Sequence, residues 1–559
     1  MKKKRQLSCE KAVELIQDHD TIILGGFVGA VVPEALERAL GKRYLNTRSP
    51  HSLNLIFAAG QGDGKERAIN HLAQDGMINH VIGGHWGLVP KLQDLATQGK
   101  ITGHNLPQGV ICQLYRDSAA GKPGTLSHVG LQTFVDPRLE GGKINSQTKQ
   151  ERVELLSISG QEMLFYPRIT ANVAFLRGTT ADENGNISME EECLFLENLA
   201  IAQLVHNQVG TVFVQVKRIV PAGQLDPHTI RIPGIFVDVI VIAQHNEHPL
   251  TFSEQVNTSY LGQGLPQQPT QCDSSPLTLK HVIARQASME LIQGAIINYG
   301  IGVPECISQV IHEESVSEQV VATVEPGAIG GTPAGGLSFG ASSFPDAIIT
   351  QDQMFDFYDG GGLEQAFLGL AEVDSNGDLN VSKFGNKLAG CGGFIDISQN
   401  AKSVYFCGTF TTGTSQIAIT EQGLDIKQDG AISKFIKQVQ QITFSANYAR
   451  QQDKPVLYIT ERAVFQLTQS GIELIEIAPG VDLQKDILDK MEFTPQISPN
   501  LIQMDKRIFS PELMQLKLKP AQAPNESQKC CDDNQSETHT TESKATATHH
   551  METKKWRYL

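Results

Sequence analysis

"AVELIQDHDTIILGGFVGAVVPEAL", residues 12–36, returns in shortened form as "SMELIQGAIINYGIGVPECI", residues 288–307. Each reads as a helix, a buried strand (22–24 and 295–297), a glycine-rich turn and a Pro-Glu pair opening the next helix. Proline suits the first helical position, where its missing N–H would have had no partner. A second echo follows. "AFLRGTTADENGNIS" (174–188) matches "AFLGLAEVDSNGDLN" (366–380) at a constant offset of 192. Both read as an apolar strand, a D-x-N-G turn and another strand. Two echoes in the same order imply two copies of one α/β unit. Glu14 to Asp182 spans 168 positions and Glu290 to Asp374 spans 84, so the first copy carries about 84 extra residues before its turn.

A chain of 559 residues exceeds one ordinary core. Strand and helix patterns alternate through both copies, which favours open sheets, mainly parallel, with helices on their faces. The expected fold class is therefore α/β, as two tandem homologous open α/β domains with mainly parallel sheets. Ligands in such sheets gather beyond the carboxyl ends of the strands. "NTSYLGQGLPQQPTQCDSSP" (257–276) lacks periodicity and is rich in Gly, Pro and polar residues, so the domains are expected at 1–260 and 277–519. From 520 to 559 large apolar residues nearly vanish, and this tail is expected to be disordered. Its Cys530-Cys531 and His549-His550 pairs are read as composition bias, since adjacent ligands of one type do not make a metal site.

About 40% of the chain is apolar and 19% charged, an ordinary globular composition. A net charge of −15 argues against nucleic acid as a partner. Nine scattered cysteines without a CxxC pair look like reduced thiols and point to a cytoplasmic setting. The basic start "MKKKRQLSC" leads into charged residues rather than a signal h-region, and no apolar run is long enough to span a membrane.

The chemistry concentrates in "TVEPGAIGGTPAGGLSFG" (323–340), where Glu325 ends an apolar strand-like run and six glycines follow. A phosphate-binding loop needs G-x-x-x-x-G-K-[ST], which is absent, and "GGFVGAVVPEAL" is not G-x-G-x-x-G. The alternative makes Glu325 a nucleophile. A free glutamate, with a pKa of about 4.3, is anionic at neutral pH. It attacks an acyl group well if the leaving group is good and water is excluded, and a thioester meets the first condition. The glycines would let backbone approach the thioester and offer N–H groups to an oxyanion. "KLAGCGGFIDIS" (387–398) supplies a second run of candidate oxyanion donors, with a tight strand-to-helix connection as the structural alternative. His85 and Trp86 in "GGHWG" either shape an acyl pocket or simply pack. Arg138 and Lys143 either meet anionic substrate groups or lie solvated, and calcium-loop spacing is absent from the acidic residues of 356–374.

These stretches together resemble the family I CoA-transferases. "DHDTIILGGFVGAVVPE" is similar to the first family signature, departing from it at His19 and Val31, and "VEPGAIGG" is similar to the active-site glutamate segment. "GGHWG", "NLPQGV" (105–110), "HVGLQTFVDPR" (128–138), "FDFYDGGGLEQAFLGLAEVD" (355–374), "NVSKFGNKLAGCGGFIDISQNAKSVYFCGTFT" (380–411) and "YITERAVFQLT" (458–468) resemble one branch. That branch is the acetate/propionate CoA-transferases, with alpha and beta halves fused in one chain; the resemblance covers about residues 7–515. It implies an active site at the interface of the halves and reversible, ping-pong transfer of CoA between short-chain carboxylic acids. Glu325 resembles the nucleophile that forms a glutamyl-CoA thioester. Gln108 resembles the amide that holds the acyl oxygen, and Gly392 and Gly393 the backbone donors opposite it, with no choice between the two. Gly300 and Gly302 resemble the loop lining the thiol end of CoA. The resemblance also implies no metal, no tightly bound cofactor, coenzyme A as a substrate, and a homodimer or homotetramer. Two rival readings are an acyl-CoA hydrolase on the same scaffold and a non-catalytic metabolite-sensing module.

Overall fold

The computed structural model describes residues 5–264 and 277–521. The disorder expected of the tail, and most of the expected boundary segment, lie outside the described residues. The described residues up to Lys519 form the first compact unit.

Two large sheets organise the first unit. One has eight strands in the order Arg5–Leu7, Val239–Ile242, Thr211–Val216, Val173–Arg177, Thr21–Leu24, Leu53–Phe57, Ile78–Gly83 and Thr102–Asn105. Every pairing in it is parallel. The second has ten strands. Its centre runs Val321–Thr323, Ile296–Tyr299, Gln365–Gly369, Ser403–Cys407 and Val456–Ile459, also all parallel. These five correspond in order and direction to Leu53–Phe57, Thr21–Leu24, Val173–Arg177, Thr211–Val216 and Val239–Ile242. The duplication read from the two echoes is therefore a duplicated five-stranded parallel core. Runs such as "TVFVQV" and "SVYFC" form its centre because β-branched and aromatic side chains fill a sheet buried on both faces.

The copies differ at their margins. In the first, the extra residues between the echoes build the strands Ile78–Gly83 and Thr102–Asn105, the helices Pro90–Thr97 and Gln108–Ala119, and a three-stranded antiparallel sheet. In the second, the hairpin Ala463–Thr468/Gly471–Ile477 extends the sheet with antiparallel pairs. Both D-x-N-G segments are hairpin turns. Asp182 accepts from the Asn186 N–H (2.9 Å) and Asp374 from the Asn376 N–H (2.9 Å), with Gly185 and Gly377 at φ 85° and 89°. Pro33 and Pro304 stand one residue ahead of the expected position, immediately before the helices Glu34–Thr47 and Glu305–Glu313.

The halves share one apolar core. Ile111 and Leu114 of the Gln108–Ala119 helix belong to the same buried cluster as Met354 and Phe355 of the Gln351–Asp359 helix and Ile395 and Ile397 of the Phe394–Asn400 helix. Polar bonds cross the same seam: Gln113 Nε2 donates to Asp359 (2.8 Å), the Phe134 N–H to the Ile442 carbonyl (2.8 Å) and the Gly130 N–H to Gln399 (2.8 Å). Among the described residues, no helix is long and apolar enough to cross a membrane.

Candidate active site

The carboxyl ends of at least seven parallel strands open into one cavity of about 220 Å³. Thr21–Leu24 leads to Phe27 and Val28, Leu53–Phe57 to Ala59, Ile78–Gly83 to His85 and Thr102–Asn105 to Gln108. From the second sheet, Ile296–Tyr299 leads to Gly300, Val321–Thr323 to Glu325, and Gln365–Gly369 ends on the lining itself. Loop 389–393 and Phe394 close the wall. The cavity thus draws on both halves, and its lining is mostly apolar.

Glu325 sits just past its strand because the chain reverses there. Val324 and Ala328 pair across the turn (3.0 Å), and Gly327 takes φ 123°. The carboxyl is buried, and its Oε2 has no hydrogen-bond partner. Burial lifts its pKa to about 7, opposed by the backbone N–H and the Asn298 amide. At neutral pH the unliganded protein therefore holds a mixture of acid and carboxylate, rather than the fully ionised group expected of a free glutamate. Beneath it, Tyr358 Oη donates to Thr323 Oγ1 (2.9 Å) and Asn298 Nδ2 approaches the Thr323 carbonyl (3.3 Å), bracing the two adjacent strands.

The six glycines after Glu325 do not serve as expected. None of them lines the cavity. A Cβ on Gly327 would fall 2.0 Å from the Ile349 carbonyl, and one on Gly331 would fall 2.2 Å from that of Ser343. These two permit close backbone packing, Gly330, Gly335 and Gly340 face the side chains of Asp346, Glu305 and Phe27, and Gly336 has open space around it.

The unpartnered N–H groups at the cavity come from elsewhere. Gln108 opens its helix with its backbone N–H on the Gly392 carbonyl (3.0 Å), and its side-chain Nε2 is buried without a partner among the described residues. The Gly392 N–H is committed to the Gly84 carbonyl (2.9 Å), whereas that of Gly393 has no partner among the described residues. Gly300 lines the cavity with its N–H held by Phe367 (2.8 Å). Gly302 lies outside the lining, at φ 94° with open space around it.

His85 reaches the cavity, and burial pulls its pKa down to about 4, so the ring is neutral. Trp86 is packed, its Nε1 on the Gly83 carbonyl (3.0 Å). Arg138 pairs with Asp136 and Glu162, and Lys143 with Glu151, so neither joins the site. Two residues escaped the sequence reading, Asn298 and Asn105. Asn105 is buried at a strand end; its Nδ2 holds the Gly83 carbonyl (2.8 Å) and also that of Gly84, while its Oδ1 accepts from the Cys391 N–H (3.0 Å). It ties the 83–87 loop of one half to the 389–393 loop of the other. Both asparagines lay inside glycine-bearing motifs; Asn298 interrupts the apolar strand IINY, whereas Asn105 ends the polar strand TGHN and carried no comparable signal.

A buried carboxyl facing uncharged amide donors in an apolar cleft is equipment for acyl transfer. The coenzyme A transferase family profile matches residues 6–243. The acetate CoA-transferase YdiF of Escherichia coli K12 is 44% identical over 504 residues, covering 90% of this chain and 94% of that protein. The caffeate CoA-transferase of Acetobacterium woodii is 41% identical, covering 90% and 97%. A crystal structure of acyl-CoA transferase YdiF from E. coli O157:H7, described as a thioester complex with CoA, superposes with a TM-score of 0.88 at 41% identity, covering 93% of this chain and 98% of that one. The chain belongs to the coenzyme A transferase family and is a CoA-transferase.

Proposed function

We propose that the protein moves CoA reversibly between short-chain carboxylic acids, acetate among them, with Glu325 as the group that carries CoA between half-reactions. The carrying observation is the unpartnered carboxylate oxygen of Glu325 in the same cavity as the unpartnered Gln108 amide. In its ionised form Glu325 attacks the thioester carbonyl of an acyl-CoA. Gln108 Nε2 and the Gly393 N–H donate to the oxygen that becomes negative. We assign this backbone role to Gly393 over Gly392, whose N–H is already spent on Gly84. The C–S bond breaks, CoA leaves as thiolate, and a mixed anhydride of Glu325 and the acyl group forms. The thiolate then attacks the Glu325 carbonyl, releasing the first acid as carboxylate and leaving a glutamyl-CoA thioester. A second carboxylate reverses these steps. The apolar lining keeps water from the anhydride, which favours transfer over hydrolysis. Gly300 would lie beside the thiol end of CoA.

Propionate fits this reading, since one methylene in an apolar pocket changes binding by only about 1–3 kcal/mol. The two halves, 1–260 and 277–519, act on this view as fused alpha-like and beta-like domains. A cytoplasmic homodimer or homotetramer completes the proposal; light scattering on the purified chain tests the assembly. The decisive experiment is intact mass after incubation with acetyl-CoA. A CoA adduct on the Glu325 peptide, converted by borohydride to the alcohol, is expected. An adduct elsewhere, or none while exchange proceeds, overturns the assignment.

A further inference from the structure

A second cavity, of about 340 Å³, lies at the opposite ends of the parallel strands in the first half. Thr21, Asn54, Asn79, His80 and Thr102, at or next to the amino ends of four adjacent strands, form its floor, and Arg152 reaches in from a passing loop. No aspartate or glutamate lines it. Arg152 makes no ion pair or hydrogen bond with any described residue, and its Nε is buried. A half-buried guanidinium without a partner is unusual, because desolvating it is costly unless something compensates.

The facing group is as specific. His80 Nδ1 lies 2.8 Å from Thr102 Oγ1, and that hydroxyl in turn donates to the Asn79 carbonyl (3.3 Å). We assign the hydroxyl proton to the Asn79 carbonyl, which makes Nδ1 the donor in the ring's contact with Thr102. The other ring nitrogen, Nε2, then presents a lone pair; it is buried and has no partner. The cavity thus offers a charged fork of N–H donors and one acceptor. That combination complements an anion that retains a proton.

We propose that this cavity binds a phosphate group, free or as a small monoester, with Arg152 holding its charged oxygens and His80 Nε2 accepting from its P–OH. Arg and phosphate match in geometry as well as charge. A carboxylate, with no O–H in its ionised form, would leave His80 unsatisfied. The site stands apart from Glu325 and does not rest on the role proposed for it.

Calorimetric titration of the full chain with inorganic phosphate, glycerol 3-phosphate and acetate tests the assignment. Saturable binding of either phosphate species is expected, with a dissociation constant of about 1 mM or tighter. The tighter of the two identifies the source. Arg152→Gln should weaken it by about tenfold or more, and Asn79→Asp, which brings a negative charge to the rim, should weaken it too. Arg152→Gln should leave phosphate-free CoA transfer unchanged, and Glu325→Gln should bind phosphate as the wild type does. Absence of saturable binding, equal binding by Arg152→Gln, or acetate binding as tightly as phosphate would each overturn the proposal.

Discussion

At the scale of single residues, Glu325 in its proposed role combines two demands that oppose each other. Burial keeps water from the reaction but also favours the protonated, unreactive form, holding the pKa near 7. Acyl transfer should therefore lose activity on the acid side: kcat/KM measured against acyl-CoA is expected to fall about tenfold per unit below about pH 7. Glu325→Ala should abolish exchange of labelled acetate, and Glu325→Asp, which sets the carboxylate back by one methylene, should cost about 10²-fold or more. Gln108→Ala should lower kcat by about 10²–10³ with little loss of stability, because the amide Nε2 it removes has no protein partner to strand. Single-turnover kinetics on folded variants check all three. That Glu325 and Gln108 would meet in one cavity was legible because each sits in a motif of unusual composition. The glycines after Glu325 were legible as a cluster but not in purpose. Whether a missing Cβ makes room for a ligand or for backbone depends on what lies opposite, here the Ile349 and Ser343 carbonyls.

At the scale of elements, the site is assembled where strand ends meet. Asn105 serves three partners there: the Gly83 and Gly84 carbonyls and the Cys391 N–H. Asn105→Ala would leave the Cys391 N–H unpaired, at about 1–3 kcal/mol, while the Gly83 and Gly84 carbonyls keep Trp86 Nε1 and the Gly392 N–H. The variant should melt earlier and transfer CoA more slowly, with the rate loss exceeding that of a control truncation in the core such as Ile201→Val; thermal melts beside kcat values decide this. The five-stranded core was readable because its duplication left echoes in strand, turn and helix signals at once. The pairing of the 83–87 and 389–393 loops was not, since it joins residues about 300 positions apart through backbone groups that every residue type carries. The loop after the Thr21–Leu24 strand holds a further local conflict: Val28 and Val31 adopt φ 52° and 57°, a region β-branched residues rarely enter. One of these, Val31, is a position already marked as departing from the family pattern. Both are buried, so packing offsets the strain.

At the scale of the whole molecule, buried acids set how stability follows pH. A carboxyl whose pKa is raised on folding binds its proton more tightly in the native state, so its contribution is greatest below the unfolded value and declines as pH rises through the folded one. For Glu325 that window runs from 4.5 to about 7, and the cost at higher pH is about 3 kcal/mol. Glu197, which burial lifts to about 8, and Asp359, which burial lifts above the usual carboxylate range, act in the same sense. Glu325→Gln should therefore melt higher than the wild type at pH 8 and indistinguishably from it near pH 4, as differential scanning calorimetry can show. The continuous core has another consequence. A cut placed between residues 264 and 277 would leave two polypeptides, each with the oily underside of the Gln108 or Gln351 helix bare to water. Neither should persist alone as a well-behaved monomer. Mixed, they should find each other and regain turnover at a rate that climbs with concentration, turning a one-chain enzyme into a split reporter of its own assembly.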